Sequence, residues 1–396
     1  MVIKFDLVQT VGLAVLVYVL GMIIRNHIPV LKKYFIPAPV IGGLLFSILI
    51  FIGVQTQTFT VKMTNPLQDF FMNLFFCTTG FTCSLSIIKK SGKQGAILAA
   101  GAVIFLFVQN AVGVALADLF GLNKLLGIAM GSISMSGGVG SGAAFGPTLE
   151  SLGADGGTTV GVASATFGLL MGSLVGGPVA ERLIKKYDLK SSFTDSREKS
   201  SSKDQTIQTV SDKHFFISVL EVLGATAVGS YIYLFLSRLT GVTFPYYVGC
   251  LFGGMLFRNI MDHYQLNLNM KEVDLIGNCS LNLFLSLALM NLNMAKLISL
   301  AGPMVVILLI QAVVMAIWAT VVTFKSMGSD YDAAVMAAGH CGVGLGQTPN
   351  AVANMQAIIE AKGPAPKAWF ILPVITVVFI NICNPLIITL FINLFK

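Results

Sequence analysis

The sequence is short of charge: Asp, Glu, Lys and Arg make up 11% of its 396 residues and apolar residues 55%, against about 25% and about 45–50% in soluble domains. Too little polar surface is available to clothe a soluble domain, so the chain reads as an integral membrane protein. Cysteine offers no framework. The six cysteines, Cys77, Cys83, Cys250, Cys279, Cys341 and Cys383, sit inside apolar segments without disulfide pattern or zinc spacing and read as small buried hydrophobes. No nucleophile–base constellation stands out either, which argues against an enzyme. The formal charge of +7 has no basic face behind it. Lys and Arg fall between apolar segments, so the excess belongs to membrane topology and not to a nucleic-acid partner. MVIKFD runs into about 20 apolar residues with no small-residue cleavage site, so a first span is expected there and not a removed signal.

What the chain has in quantity is glycine, 40 residues. Two stretches concentrate it: SGGVGSGAA over 136–144 and GHCGVGLGQTPN over 339–350. Both contain GVGxG, with Gly138, Gly140 and Gly142 in the first and Gly342, Gly344 and Gly346 in the second. Each glycine weakens a helix by roughly 1 kcal/mol relative to alanine, so both stretches are expected to break helix at membrane depth. Such backbone is tolerated only where protein buries it or it lines a water-filled cavity. The breaks are therefore expected to be binding sites.

Apolar segments predict spans at 5–24, 37–54, 66–88 and 95–120, a broken segment at 125–150, and a span at 157–180. A Ser-, Lys- and Asp-rich linker over 185–213 reads as disordered. Spans then follow at 214–236, 245–261, 273–292 and 303–324, with a broken segment at 331–359 and a last span at 369–394. The order repeats. Residues match as well: IPAPVIGGLL with FPYYVGCLFGG, DFFMNL from Asp69 with DLIGNC from Asp274, VIFLFVQ with VVILLIQ, and Pro178 with Pro385. The chain is thus expected to hold a first repeat over 1–184 and a second over 214–396.

Charge decides how the broken segments run. If both are hairpins that enter and leave on one side, each half makes five crossings and the second half is inverted. Of the 25 Lys and Arg, six (Lys4, Lys62, Lys124, Arg238, Lys296 and Lys396) then lie on one side and the remaining 19 on the other. The richer side is cytoplasmic by the positive-inside rule. The linker is then cytoplasmic and both termini lie outside. Full crossings would weaken this bias. Two broken segments entering from opposite faces describe an alternating-access transporter.

At the tips, Thr348 with Pro349 is expected to cap a returning half-helix, and Ser141 another starting near Gly142. Their free N–H groups suit a carboxylate, and the carbonyls of the incoming halves suit sodium. His340 is open to two readings, a proton carrier or, preferred, a histidine bonding tip backbone. Gln109 and Gln311 read equally as interhelical glue or as support for unwound backbone. Asp69 and Asp274 read as helix-dipole partners before ion ligands. Glu221 is left between a helix–helix pair and a proton carrier. No arginine lies near a tip, so a carboxylate there must be held by helix ends and Ser, Thr, Asn or Gln.

The strings at both tips, with YDAAVMAAGH from Tyr331, ATFGLLMGSLVGGPVA from Ala165 and NCSLNLFLSLALM from Asn278, resemble the bacterial sodium/glutamate symporter family, collinearly in both halves and failing only in the linker. The resemblance implies an all-α integral membrane protein of two inverted-topology repeats, each with five transmembrane helices and one re-entrant hairpin. It implies sodium-coupled glutamate uptake across the bacterial inner membrane by elevator-like movement, with Na+ as coupling ion, no organic cofactor and a homodimer in the lipid bilayer. Carried onto this chain, substrate would be bound by Ser136, Gly137, Gly138, Gly140, Ser141, Gly142, Gly342, Gly344, Gly346, Gln347, Thr348 and Asn350. Sodium would be held among Ser136, Gly140, His340, Gly344, Gln109 and Gln311. Val139 and Ser141 stand where the family often has His and Thr, and Gln347 where it often has Ala, which shifts polarity from the first tip to the second. A symporter of citrate or another small dicarboxylate is the alternative, and an ion channel a remoter one.

Overall fold

The structure, a computed structural model, describes residues 2–63, 66–86, 92–191, 212–240, 245–290 and 292–396. It is mostly helical: α1 (Leu7–His27), α2 (Ala38–Gln55), α3 (Pro66–Phe81), α4 (Gly92–Leu119), α5 (Lys124–Ile133), α6 (Gly138–Ser151), α7 (Gly157–Tyr187), α8 (Asp212–Thr240), α9 (Tyr246–His263), α10 (Met270–Leu289), α11 (Met294–Ser326), α12 (Tyr331–Leu345), α13 (Thr348–Lys362) and α14 (Pro366–Phe395). Among the described residues, 8 helices are long and apolar enough to cross a membrane. α3, expected to run to 88, ends at Phe81 and has 16 residues. Residues 192–211 of the expected linker lie outside the described residues, and α7 already extends to Tyr187.

Local chemistry sets the starts. Asp6 accepts from Gln9 N–H while the Gln9 side chain accepts from Asp6 N–H, a reciprocal cap on α1. Asn293 and Asp330 cap α11 and α12 through Lys296 N–H and Ala333 N–H. One pairing was not expected: Val2–Phe5 and Thr60–Met63 form a short parallel ladder with Lys4 opposite Lys62.

Helix packing sorts the molecule into two bundles. α1, α2, α3, α8, α9 and α10 form the first; α4 to α7 with α11 to α14 form the second. Among the described residues, the buried side-chain bonds between helices lie within one bundle or the other. Ser47 donates to Leu289 O at 2.7 Å in the first, and Gln311 donates to Gln109 O at 2.8 Å in the second. The bundles meet along α10 against α6, α2 against α11, and α3 against α14.

Contacts between segment ends group them into two levels. At one level, Lys4 pairs with Lys62, Asn123 donates to Gly153 O, Lys296 lies 3.5 Å from Asp155 and Lys124 sits over the Phe395 ring. At the other, Ser84 donates to Asp262, Tyr187 packs on Phe324, Ser191 donates to Pro364 O and Tyr331 donates to Gly363 O. Both ends of α5–α6 thus fall at the first level, and both ends of α12–α13 at the second.

Candidate functional site

Helix stops twice in the middle of the second bundle, once just before and into the first glycine-rich stretch and once inside the second. α5 unwinds through a wider π turn, Gly131 leaves helical geometry (φ −96, ψ −134), and α6 begins at Gly138. α12 runs unbroken through Gly342 and Gly344 and ends at Leu345; Gly346 leaves helical geometry (φ −148, ψ −113) and Gln347 is extended before α13. The expectation that Gly140, Gly142, Gly342 and Gly344 themselves break the helix is corrected. In lipid an unpaired backbone group costs several kcal/mol, which outweighs a glycine penalty of about 1 kcal/mol. The breaks sit where neighbours supply partners instead. Ser132 N–H donates to Asn110 Oδ1 at 2.9 Å, Asn384 donates to Ser132 O at 3.0 Å, and Gln109 donates to Gly344 O at 2.6 Å.

The caps shift too. Gly137, not Ser141, precedes the first turn of α6, and no side chain caps it. Gln347 precedes α13, so Thr348 is the first residue of the helix and not its cap. Part of each helix start is already spent: Gly138 N–H donates to Ser134 O at 2.9 Å and Asn350 N–H to Gln347 O at 3.0 Å. Pro349 has no N–H to give, which leaves Thr348 N–H as the cavity-lining donor of α13 for a carboxylate ligand.

The two breaks meet. Ser136 donates to Gln109 Oε1 at 2.6 Å and lies 3.4 Å from Gly344 O. A Cβ on Gly138, whose φ is +72, would stand 2.6 Å from Gln347 Nε2. Beside this junction a cavity of about 300 Å³ opens between the bundles. The second bundle contributes Ser136, Gly137, Gln347 and Thr348, and the first contributes Thr78, Thr79, Thr82, Asp274 and Asn278.

Four of the expected substrate residues therefore line the cavity. Gly138 and Gly344 stand behind it at the junction. Gly142 packs on Gly161 and Gly342 on Ala351, which is helix packing, and Ser141 and Gly140 do not line the cavity. Gly346 and Asn350 touch each other, and Asn350 Nδ2 is spent on Leu169 O and Ser173 Oγ, both at 2.7 Å.

Of the expected sodium residues, Ser136, Gln109, Gly344 and Gln311 form one connected group. Gln109 takes up a carbonyl in the last turn of α12, just before the break, and Gln311 bonds the backbone of α4 from α11. His340 bonds Thr323 Oγ1 at 2.7 Å, so the expected bond to tip backbone is corrected. Oxygens fit for a small cation lie nearby: Ser132 Oγ, Gln311 Oε1, Asn350 Oδ1 and Asn384 Oδ1 are buried without a partner.

Residues of the first bundle were missed as binding groups. Asp274 is past the first turn of α10, where Glu272 stands, and lines the cavity; Asp69 stands in the first turn of α3 and lines a separate cavity. Asp274 and Asn278 are spaced four apart on one helix, and Thr82 follows Thr78 by four just past the end of α3, a polar spacing in apolar sequence that could have found them. Glu221 does not line the cavity, and its Oε2 is buried without a partner.

Comparison with known proteins adds an independent line. The sodium/glutamate symporter family matches residues 3–364. The sodium/glutamate symporter of Escherichia coli strain K12 is 38% identical over 395 residues, covering 98% of each chain. That of Haemophilus influenzae is 33% identical over 386 residues, covering 96% of this chain and 95% of its own. A solved sodium proton antiporter from Methanocaldococcus jannaschii overlays with a TM-score of 0.46 at 16% identity, over 98% of this chain and 96% of that one, too loosely to assign a fold.

Proposed function

Since the chain belongs to the sodium/glutamate symporter family, we propose that it carries glutamate into the cell with sodium across the bacterial inner membrane by alternating access. One observation carries this reading: two helix breaks, in contact with each other, border a cavity of about 300 Å³ that lies between two bundles and not within one. A ligand there meets the hydroxyls of Ser136 and Thr348 and the Gln347 amide of the second bundle and the Asp274 carboxylate of the first.

Further observations support the finer parts. Each broken segment starts and ends at one level, and the two levels differ, as two re-entrant hairpins in inverted repeats over 1–184 and 214–396 require. The level holding Lys4, Lys62, Lys124 and Lys296 is the lysine-poor one, so we place it outside with both termini, and the linker inside. The bundles are internally bonded and meet over limited surfaces, which suits elevator-like sliding of the second past the first. The protein acts as a homodimer in this reading, and it is a carrier, not an enzyme. Sodium travels as cargo, held by neutral oxygens near the breaks.

In liposomes, uptake of labelled glutamate should follow an inward sodium gradient and stop when the gradient is collapsed. Uptake indifferent to sodium contradicts the proposal. Asp274 in the cavity favours an aminated substrate over citrate, so excess aspartate analogues should compete where citrate does not.

A further inference from the structure

The first bundle carries one polar pair twice. Asp69 and Asn73 on α3 match Asp274 and Asn278 on α10 in the internal repeat, and each pair is spaced four residues apart, so carboxylate and amide share one helix face. Asp274 and Asn278 line the cavity beside Gln347, Thr348 and Pro349 at the second break. Asp69 and Asn73 line another cavity of about 560 Å³, beside Ala144, Pro147 and Thr148 of α6, the helix leaving the first break. Each cavity lies between the bundles. Rings separate them: Phe75, lining the first, contacts Phe76 at 5.0 Å; Phe76 stacks at 4.2 Å on Tyr247, which lines the second.

Among the described residues, Asp274 is the one charged side chain lining the first cavity and Asp69 the one lining the second. Among the described residues neither forms a salt bridge there, and Asn73 Oδ1 is buried with no donor among them. A carboxylate beside an amide offers negative charge and hydrogen-bond acceptors. A substrate ammonium complements that pair, whereas an extra carboxylate is repelled.

Resting on the symport reading above, we propose that these pairs are two stations that read the substrate's ammonium, one at each end of its path. Asp274 and Asn278 face the tips in the arrangement described here. Asp69 and Asn73, about 18 Å along α3 from its other end, face them once the second bundle has moved to the side of the termini. The specificity for an amino acid over its unaminated dicarboxylate is thereby written into the bundle that does not carry the breaks, and is checked on both sides of the membrane.

The test uses the full chain in right-side-out and inside-out vesicles. Unlabelled glutamate and glutarate, the same carbon skeleton without the amine, compete with labelled glutamate. Wild type should prefer glutamate by about tenfold or more on both faces, as a charge-assisted bond allows. D69N should narrow that preference about tenfold in right-side-out vesicles, and D274N in inside-out vesicles, whereas D69E and D274E should keep it. The same ratio, read by calorimetry on purified protein, covers any variant that does not turn over. An unchanged ratio in both Asn variants overturns the proposal, as does a shift in sodium half-activation with the glutamate preference intact. Wild-type uptake blind to sodium, with the ratio still lost in D69N and D274N, refutes the symport reading alone and leaves the stations standing.

Discussion

A helix can stop at membrane depth only where something takes up the backbone groups it frees, and at the second break Gln109 does so. Gln109→Ala would remove the 2.6 Å donor of Gly344 O and leave it the Ser136 hydroxyl at 3.4 Å, at a cost of about 1–3 kcal/mol. A lower unfolding midpoint in detergent and lost uptake are expected; an unchanged midpoint would show that Gly344 O does not depend on Gln109. Glycines near the breaks should differ sharply. A Cβ on Gly142 would stand 2.8 Å from the Gly161 carbonyl carbon, rigid backbone, whereas one on Gly140 meets the Phe75 ring edge at 3.3 Å. Gly142→Val should therefore abolish glutamate uptake and Gly140→Ala preserve most of it; equal loss in both would contradict this. Composition pointed to the region of the site through glycine, and the junction residues Ser136 and Gln347 fell within it. Thr78, Thr82 and Asn278 escaped because single hydroxyls and amides in an apolar span also serve as ordinary interhelical bonds, and only the fold aims them into one cavity.

Most element positions were legible, because about 20 apolar residues must stay together to cross a bilayer. The breaks were legible only to within several residues. Propensity ranks glycine as the weak point of a helix, but the break falls where Asn110, Asn384 and Gln109 reach the backbone, and those partners lie far away in sequence. The strand pair Val2–Phe5 with Thr60–Met63 was invisible for a similar reason, since four residues carry too little alternation to read. α13 starts at the cavity, with Thr348 lining it, while Ser141 within α6 does not. In a background lacking the native cysteines, Thr348→Cys should react with an impermeant thiol reagent and be protected by glutamate with sodium. Ser141→Cys should gain no such protection. Protection of Ser141→Cys alone would move the site to the first break.

At the scale of the molecule, the cavity beside the breaks belongs to neither bundle, and the proposed alternating access requires the breaks to move relative to α3 and α10. Gly140 on α6 faces Leu281 on α10, with a Cβ on the glycine 3.6 Å from Leu281 Cδ1, and this contact joins the two bundles. Gly140→Cys with Leu281→Cys, in a chain without the six native cysteines, offers a reversible tie between them. The measurement is sodium-driven glutamate uptake in liposomes before cross-linking, after it, and after reduction. Uptake should be present, then lost, then restored, while the cross-linked protein still binds glutamate. Full uptake with the cross-link formed would contradict movement of one bundle past the other, and with it the carriage of glutamate by the paired breaks.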